Sequence, residues 1–184
     1  MKKLLLYFFL CIGILFAENK KLDKLLVLAE KNDAKAQYDL GTTYYNLGEY
    51  EESKTWYHRS AQNDNTLAQL YLGLAYHTGT IQGFKENVND AFFWYKKAAE
   101  KNNAIAQYYM GYMYLKGESV NQDNKNALFW FKKSYENGFK DAKKIIDYLE
   151  KWFIKKERVF NYSPFLIASE SHQTHFVQTN SVLR

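Results

Sequence analysis

Three tryptophans, Trp56, Trp94 and Trp130, stand 38 and 36 residues apart, and each sits in the same local setting. The surrounding blocks are SKTWYHRSA at 53–61, AFFWYKKAA at 91–99 and ALFWFKKSY at 127–135. Upstream of each lies an Ala-Gln pair: Ala36-Gln37, Ala68-Gln69 and Ala106-Gln107. The pairs run into YDLG at 38–41, LYLG at 70–73 and YYMG at 108–111. Tyr44, Tyr76 and Tyr114 follow each glycine by three residues, and Gly48, Gly79 and Gly117 come next. A period of this length is that of a helical hairpin, a unit that cannot bury its apolar face alone and must stack on neighbours. The fold class is therefore all-α, a right-handed superhelical solenoid of helix-turn-helix repeats.

Within each unit the two helices can be drawn. In the third copy Ala106, Met110, Met113 and Tyr114 share one helical stripe. Gly117 is suited to the left-handed turn that ends a helix. The second helix spans about Asn124 to Asn137 and stops at Gly138, where the earlier copies place Asn102 and Asp64, residues that also tolerate a left-handed backbone. Ala106 and Gly111 are small because neighbouring helices approach there. The flanks are partial copies. LAEKNDAKAQYDLG at 28–41 matches AAEKNNAIAQYYMG at 98–111, so residues 22–31 read as the second helix of an incomplete leading repeat. DAKKIIDYLEKWF at 141–153 opens like another first helix, with Lys144 and Asp147 in place of tyrosine and glycine, as befits a polar cap. Eight helices are expected from Leu22 to Phe153.

These residues resemble the Sel-one-like repeat family, a relative of tetratricopeptide repeats. The third copy carries the family pattern in Ala106-Gln107-Tyr108, Met110-Gly111, Tyr114, Gly117, Val120, Asp123, Ala127 and Trp130 to Ser134. The second copy matches with extra loop residues in TIQGFKENV. The first has the short inter-helix turn of a tetratricopeptide repeat, with Gly48, Tyr50 and Ser53 fitting that pattern. The resemblance implies a scaffold or adaptor that holds a protein or peptide, often in exported bacterial proteins. Some secreted relatives are cysteine-rich and have been labelled penicillin-binding or β-lactamase-like. That makes a cell-wall-related hydrolase the alternative, although this chain lacks their cysteines.

The amino end, MKKLLLYFFLCIGILFAEN, has the layout of a secretory signal peptide: Lys2 and Lys3, an uncharged run from Leu4 to Phe16, and Ala17 before Glu18. The run is short for a membrane-spanning helix, which needs roughly 20 residues. Cleavage after Ala17 is the expectation. An uncleaved anchor, or a lipid on Cys11, are the alternatives, and membrane contact enters only that way. Cys11 is the sole cysteine, so its removal would leave no disulfide, thiol nucleophile or thiolate metal ligand. The expected layout is signal peptide 1–17, repeats 18–153 and a non-repeating tail 154–184. The tail holds the only proline, Pro164, and the apolar FLIAS at 165–169. It reads as folding back over the last hairpin or lying extended in a groove.

No catalytic constellation is present. No serine precedes a lysine by three residues, as serine β-lactamases require, and no His-Glu-x-x-His, Cys-x-x-Cys or glycine-rich phosphate loop occurs. HTG at 77–79 reads as a helix end. His172 and His175 lack a visible third ligand, so neither metal nor cofactor is expected. His58 and His77 stand alone in the sequence and read as surface or contact residues. The net charge of +5 is scattered. Lys151, Lys155, Lys156 and Arg158 read as a solvated cap, and no nucleic-acid partner is expected. The three tryptophans read as core packing between helices.

Stacked hairpins curve, with their first helices lining the concave side. Positions counted from the shared alanine place Tyr38, Thr42, Tyr45 and Asn46 on that face in the first copy. The second supplies Leu70, Leu74, His77 and Thr78, the third Tyr108, Tyr112, Leu115 and Lys116, and the last helix Lys144 and Tyr148. Tyrosines beside His, Asn and Lys offer apolar area with a polar end, which is contact chemistry.

Overall fold

The structure is a computed structural model that describes residue 20 and residues 22–158. The expected signal peptide, His172, His175 and residues 159–184 lie outside the described residues. Eight helices are present among the described residues, and no strand. They are α1 (22–30), α2 (Ala34–Leu47), α3 (Tyr50–Gln62), α4 (Thr66–Thr78), α5 (Val88–Glu100), α6 (Ala104–Lys116), α7 (Asn124–Glu136) and α8 (142–158). α8 stays helical through 158, so the non-repeating sequence from 154 begins inside a helix.

Local chemistry sets these boundaries. Short polar side chains cap the helix starts: Asp33 accepts from the Ala36 amide, Asn65 from Leu67 and Ala68, Asn103 from Ala106, and Asp123 from Lys125 and Asn126. First helices end on Gly48, Gly79 and Gly117 in the left-handed conformation. The turns after second helices use Asn32, Asp64 and Asn102 at φ of 64°, 69° and 61°, then Gly138 at 104°. α2 and α3 are joined by Gly48 and Glu49 alone, the short turn expected of the first copy.

The helices of each hairpin close on one contact. The residue after each tryptophan lays its ring on the glycine of the facing first helix. A Cβ on Gly41 would lie 2.9 Å from Tyr57, one on Gly73 2.4 Å from Tyr95, and one on Gly111 2.9 Å from Phe131. Tyr57, Tyr95 and Phe131 are accordingly buried. The tryptophans pack between helices, as expected, but not equally deeply. Trp56 and Trp94 are buried, and Trp130 is half-buried, packed against the core of α5 and α6 on one side with Lys133 over its ring. Its neighbour Phe131 is fully buried because that residue faces Gly111.

Between hairpins the joint is polar. Gln37, Gln69 and Gln107 are buried, and each side-chain amide donates to the carbonyl eight residues back, on Ala29, Ala61 and Ala99, at 2.9–3.1 Å. Each of these carbonyls also accepts from a turn amide, of Asn32, Asp64 or Asn102, so the glutamine fills its second acceptor position. The glutamine oxygens of the first and third copies accept from Asn63 and Asn137, both at 2.8 Å. In the second copy Lys101 stands in that place and turns to Asp64, leaving Gln69 Oε1 buried without a partner. α8 closes the array. Lys143 replaces the glutamine and Asp147 the glycine, and the two are ion-paired across the face where another ring would lie.

Gly73→Ala should lower stability by about 1–3 kcal/mol, the reverse of the usual gain for this change inside a helix. Chemical denaturation checks the sign. Lys101→Asn should add about 1 kcal/mol by giving Gln69 Oε1 a donor, read as a rise in melting temperature.

Candidate functional site

The two tyrosine rings that cross a glycine, Tyr57 and Tyr95, carry their hydroxyls to the face built by the first helices. Two clusters form there, one per junction. In the first, the Tyr57 hydroxyl meets Thr42 Oγ1 at 3.1 Å, and Thr42 donates to the Tyr38 carbonyl at 3.2 Å. With the threonine hydrogen so used, the phenol is the donor to Thr42. Tyr71 stacks on Tyr57 with centroids 4.0 Å apart, Tyr38 meets it edge-on at 5.5 Å, and Tyr45 packs edge-on against Tyr50. Burial pushes the Tyr57 and Tyr71 phenols up from their ordinary value, keeping them protonated.

In the second cluster Tyr95 crosses Gly73, and its hydroxyl lies 3.3 Å from His77 Nδ1. His77 Nε2 is 2.9 Å from Glu118 Oε2. A phenol donating to Nδ1 and an Nε2–H donating to the carboxylate satisfies every group. Tyr109 stacks on Tyr95, with centroids 4.9 Å apart and planes 4° off parallel. The Tyr112 ring lies 6.3 Å from His77, and Lys116 Nζ sits 5.7 Å from the Tyr112 centroid. Burial raises the Tyr95 phenol as well.

The face expected from sequence is thus brought together in part. Tyr38, Thr42 and Tyr45 belong to the first cluster, and His77, Tyr112 and Lys116 to the second. Asn46, Thr78, Lys144 and Tyr148 are exposed. Leu70 and Leu74 pack against the core of α5 and α6, and Leu115 against that of α7 and α8. Tyr108 lies edge-on to Phe131 at 5.4 Å and 4.9 Å from Phe139. Tyr57, Tyr71, Tyr95, Tyr109 and Glu118 were not anticipated. Tyr57 and Tyr95 come from second helices and Glu118 from a loop, so counting along first helices cannot reach them. Their signal was the aromatic after each tryptophan, paired with a glycine upstream.

The histidines are not isolated in space. His58 Nε2 lies 2.9 Å from the Tyr76 hydroxyl, and its ring meets Trp94 edge-on at 5.6 Å. Burial, with Lys54 nearby, lowers its pKa. Among the described residues no group of three His, Cys, Asp or Glu side chains could hold a metal ion.

The chain is thus an all-α array of helical hairpins with a polar-aromatic first-helix face. The Sel1 repeat model matches residues 34–65, 66–103 and 104–139, and the chain belongs to the Sel1-repeat family. A Sel1 repeat protein from Oxalobacter formigenes is 30% identical, with a TM-score of 0.65 over 70% of this chain and 98% of that one. The protective antigen c5321 of uropathogenic Escherichia coli, which displays an SLR fold, is 35% identical with a TM-score of 0.57 over 64% of this chain. The match spans only 26% of that protein. The curated proteins contain no match. Sel1-repeat proteins are generally protein-interaction scaffolds. No described helix is long and apolar enough to cross a membrane.

The lowered pKa of His58 sets the direction of a pH effect. Once acid falls below about pH 6.5, the unfolded chain binds a proton that folded His58 resists. Stability should therefore drop as pH falls through that value towards the folded pKa. His58→Gln should flatten this part of the profile, read by melting temperature from pH 7.5 to 5.

Proposed function

We propose that the protein is an exported scaffold that binds a protein or peptide on the concave side formed by its first helices. The observation that carries this is the pair of clusters at successive junctions, each showing phenol, hydroxyl or imidazole ends on half-buried rings. Such rings are held by their neighbours, so docking costs little side-chain entropy. They offer apolar area to a partner's side chains and directed hydrogen-bonding groups to its polar atoms. Lys116, and Lys144 on α8, add positive charge at the carboxy-terminal half of the face. Export is inferred from the amino-terminal layout of Lys2, Lys3, the apolar run and Ala17.

Affinity capture from the native cells, using the mature chain as bait, should return a partner. Its retention should fall about tenfold or more in Tyr45→Ala/Tyr112→Ala, a loss in keeping with two central aromatic contacts. Lys96→Ala, on the exposed side of α5, should leave it unchanged. Equal retention by all three proteins, with unaltered melting temperatures, would exclude this face.

A further inference from the structure

The last junction of the array lacks something that the two before it have. After α4 the chain turns back over α3. Phe84 is buried there, with Tyr71 and Tyr76 edge-on at 6.3 and 5.2 Å and Lys54 Nζ 5.3 Å from its ring centroid. Gly83 packs so near α3 that a Cβ on it would lie 3.1 Å from the Tyr50 carbonyl oxygen. After α6 the chain makes the same return: Ser119 Oγ lies 2.7 Å from Asn89 Oδ1 at the start of α5, and Val120 is half-buried.

Counted in the repeat, Lys54 and Phe92 correspond to Leu128, and Tyr76 and Tyr114 to Glu150. Leu128 and Glu150 line an open groove of about 570 Å³ between α7 and α8, with Phe129, Phe153 and Ile154. Because α8 stays helical where the earlier first helices turn, no described residue folds back over α7. Phe129 and Ile154 are left 49% and 51% exposed. Lys132 and Glu150 are paired at 2.7 Å, and the other two charged residues of the rim, Lys125 and Glu157, are of opposite sign, so the groove carries no net charge to select a charged occupant.

We propose that this groove takes the chain's own carboxy-terminal segment, with Phe165-Leu166-Ile167 as the side chains it accepts. Three observations select that occupant. Glu157, next to the last described residue, is itself part of the groove. Phe165 follows residue 158 by seven positions, a tether of up to roughly 24 Å at full extension, whereas packed helix axes lie only about 8–10 Å apart. From 159 to 184 the only acidic or basic side chains besides histidine are Glu170 and Arg184, and residues 165–168 are the longest apolar run. The junction of α3 and α4 fills the equivalent place with Phe84, the same kind of side chain.

Cysteine cross-linking in the full-length chain tests this, in a Cys11→Ser background and with a short bismaleimide. The pair Phe129→Cys/Leu166→Cys probes the groove. The pair Phe93→Cys/Leu166→Cys is the control, since Phe93 is the counterpart of Phe129 one repeat earlier and equally exposed at 49%. The expected result is a linked monomer, formed several-fold faster with the groove pair than with the control. Equal rates, or no linkage, would overturn the proposal. Linked dimers as the main product would also overturn it, and would assign the groove to a second copy.

Discussion

A ring can lie flat on a helix only where that helix has no Cβ, and the whole array rests on this contact. Gly41, Gly73 and Gly111 let Tyr57, Tyr95 and Phe131 approach to distances that an alanine could not tolerate. The contact sets how closely the two helices of a hairpin sit. It also decides what appears on the far side. A tyrosine long enough to cross the glycine delivers its hydroxyl to the first-helix face, as Tyr57 does to Thr42 and Tyr95 to His77. The third copy has phenylalanine at this position, so its ring ends in the apolar cluster with Tyr108 and Phe139. One packing rule thus builds the core of every repeat and, in the first two, the candidate site.

Polar joints hold the hairpins in register. A buried glutamine can stay buried only if its amide is bonded, and the carbonyls of Ala29, Ala61 and Ala99, each bonded once to a turn amide, have a second acceptor position to offer. Gln37, Gln69 and Gln107 meet both needs at successive junctions. The arrangement is also what ends the array. Once Asp147 replaces the glycine and pairs with Lys143, α8 has no gap for another ring. The groove between α7 and α8 is the second consequence of that ending, because the return loop of an ordinary repeat is missing there.

Much of this was legible along the chain. The glycines at 48, 79 and 117, the left-handed turns at Asp64, Asn102 and Gly138, and the polar cap at Lys144 and Asp147 follow from short-range rules on turns and terminal repeats. The tryptophans were harder. A large aromatic in a repeated block signals burial, but Trp130 and Phe131 are neighbours on a helix and only one can face the glycine. Which one depends on the rotation of α7 against α6, a relation between helices. The candidate face shows the same limit. Thr42, His77 and Tyr112 follow from counting positions on single helices. Tyr57, Tyr95 and Glu118 reach the face from a second helix or a loop, by contacts up to 41 residues apart in sequence.

The sequence by itself determined the repeat, its period, the helix boundaries and the family, because each depends on residues within a turn or two of one another. Tertiary structure alone decided which aromatic of each pair faces the glycine, how the phenols of second helices join the imidazole and tyrosines of first helices, and where the array leaves a groove. The physical reason is that side chains compete for the space between helices. The winner is set by the distance and rotation of two packed elements, quantities that no single segment carries.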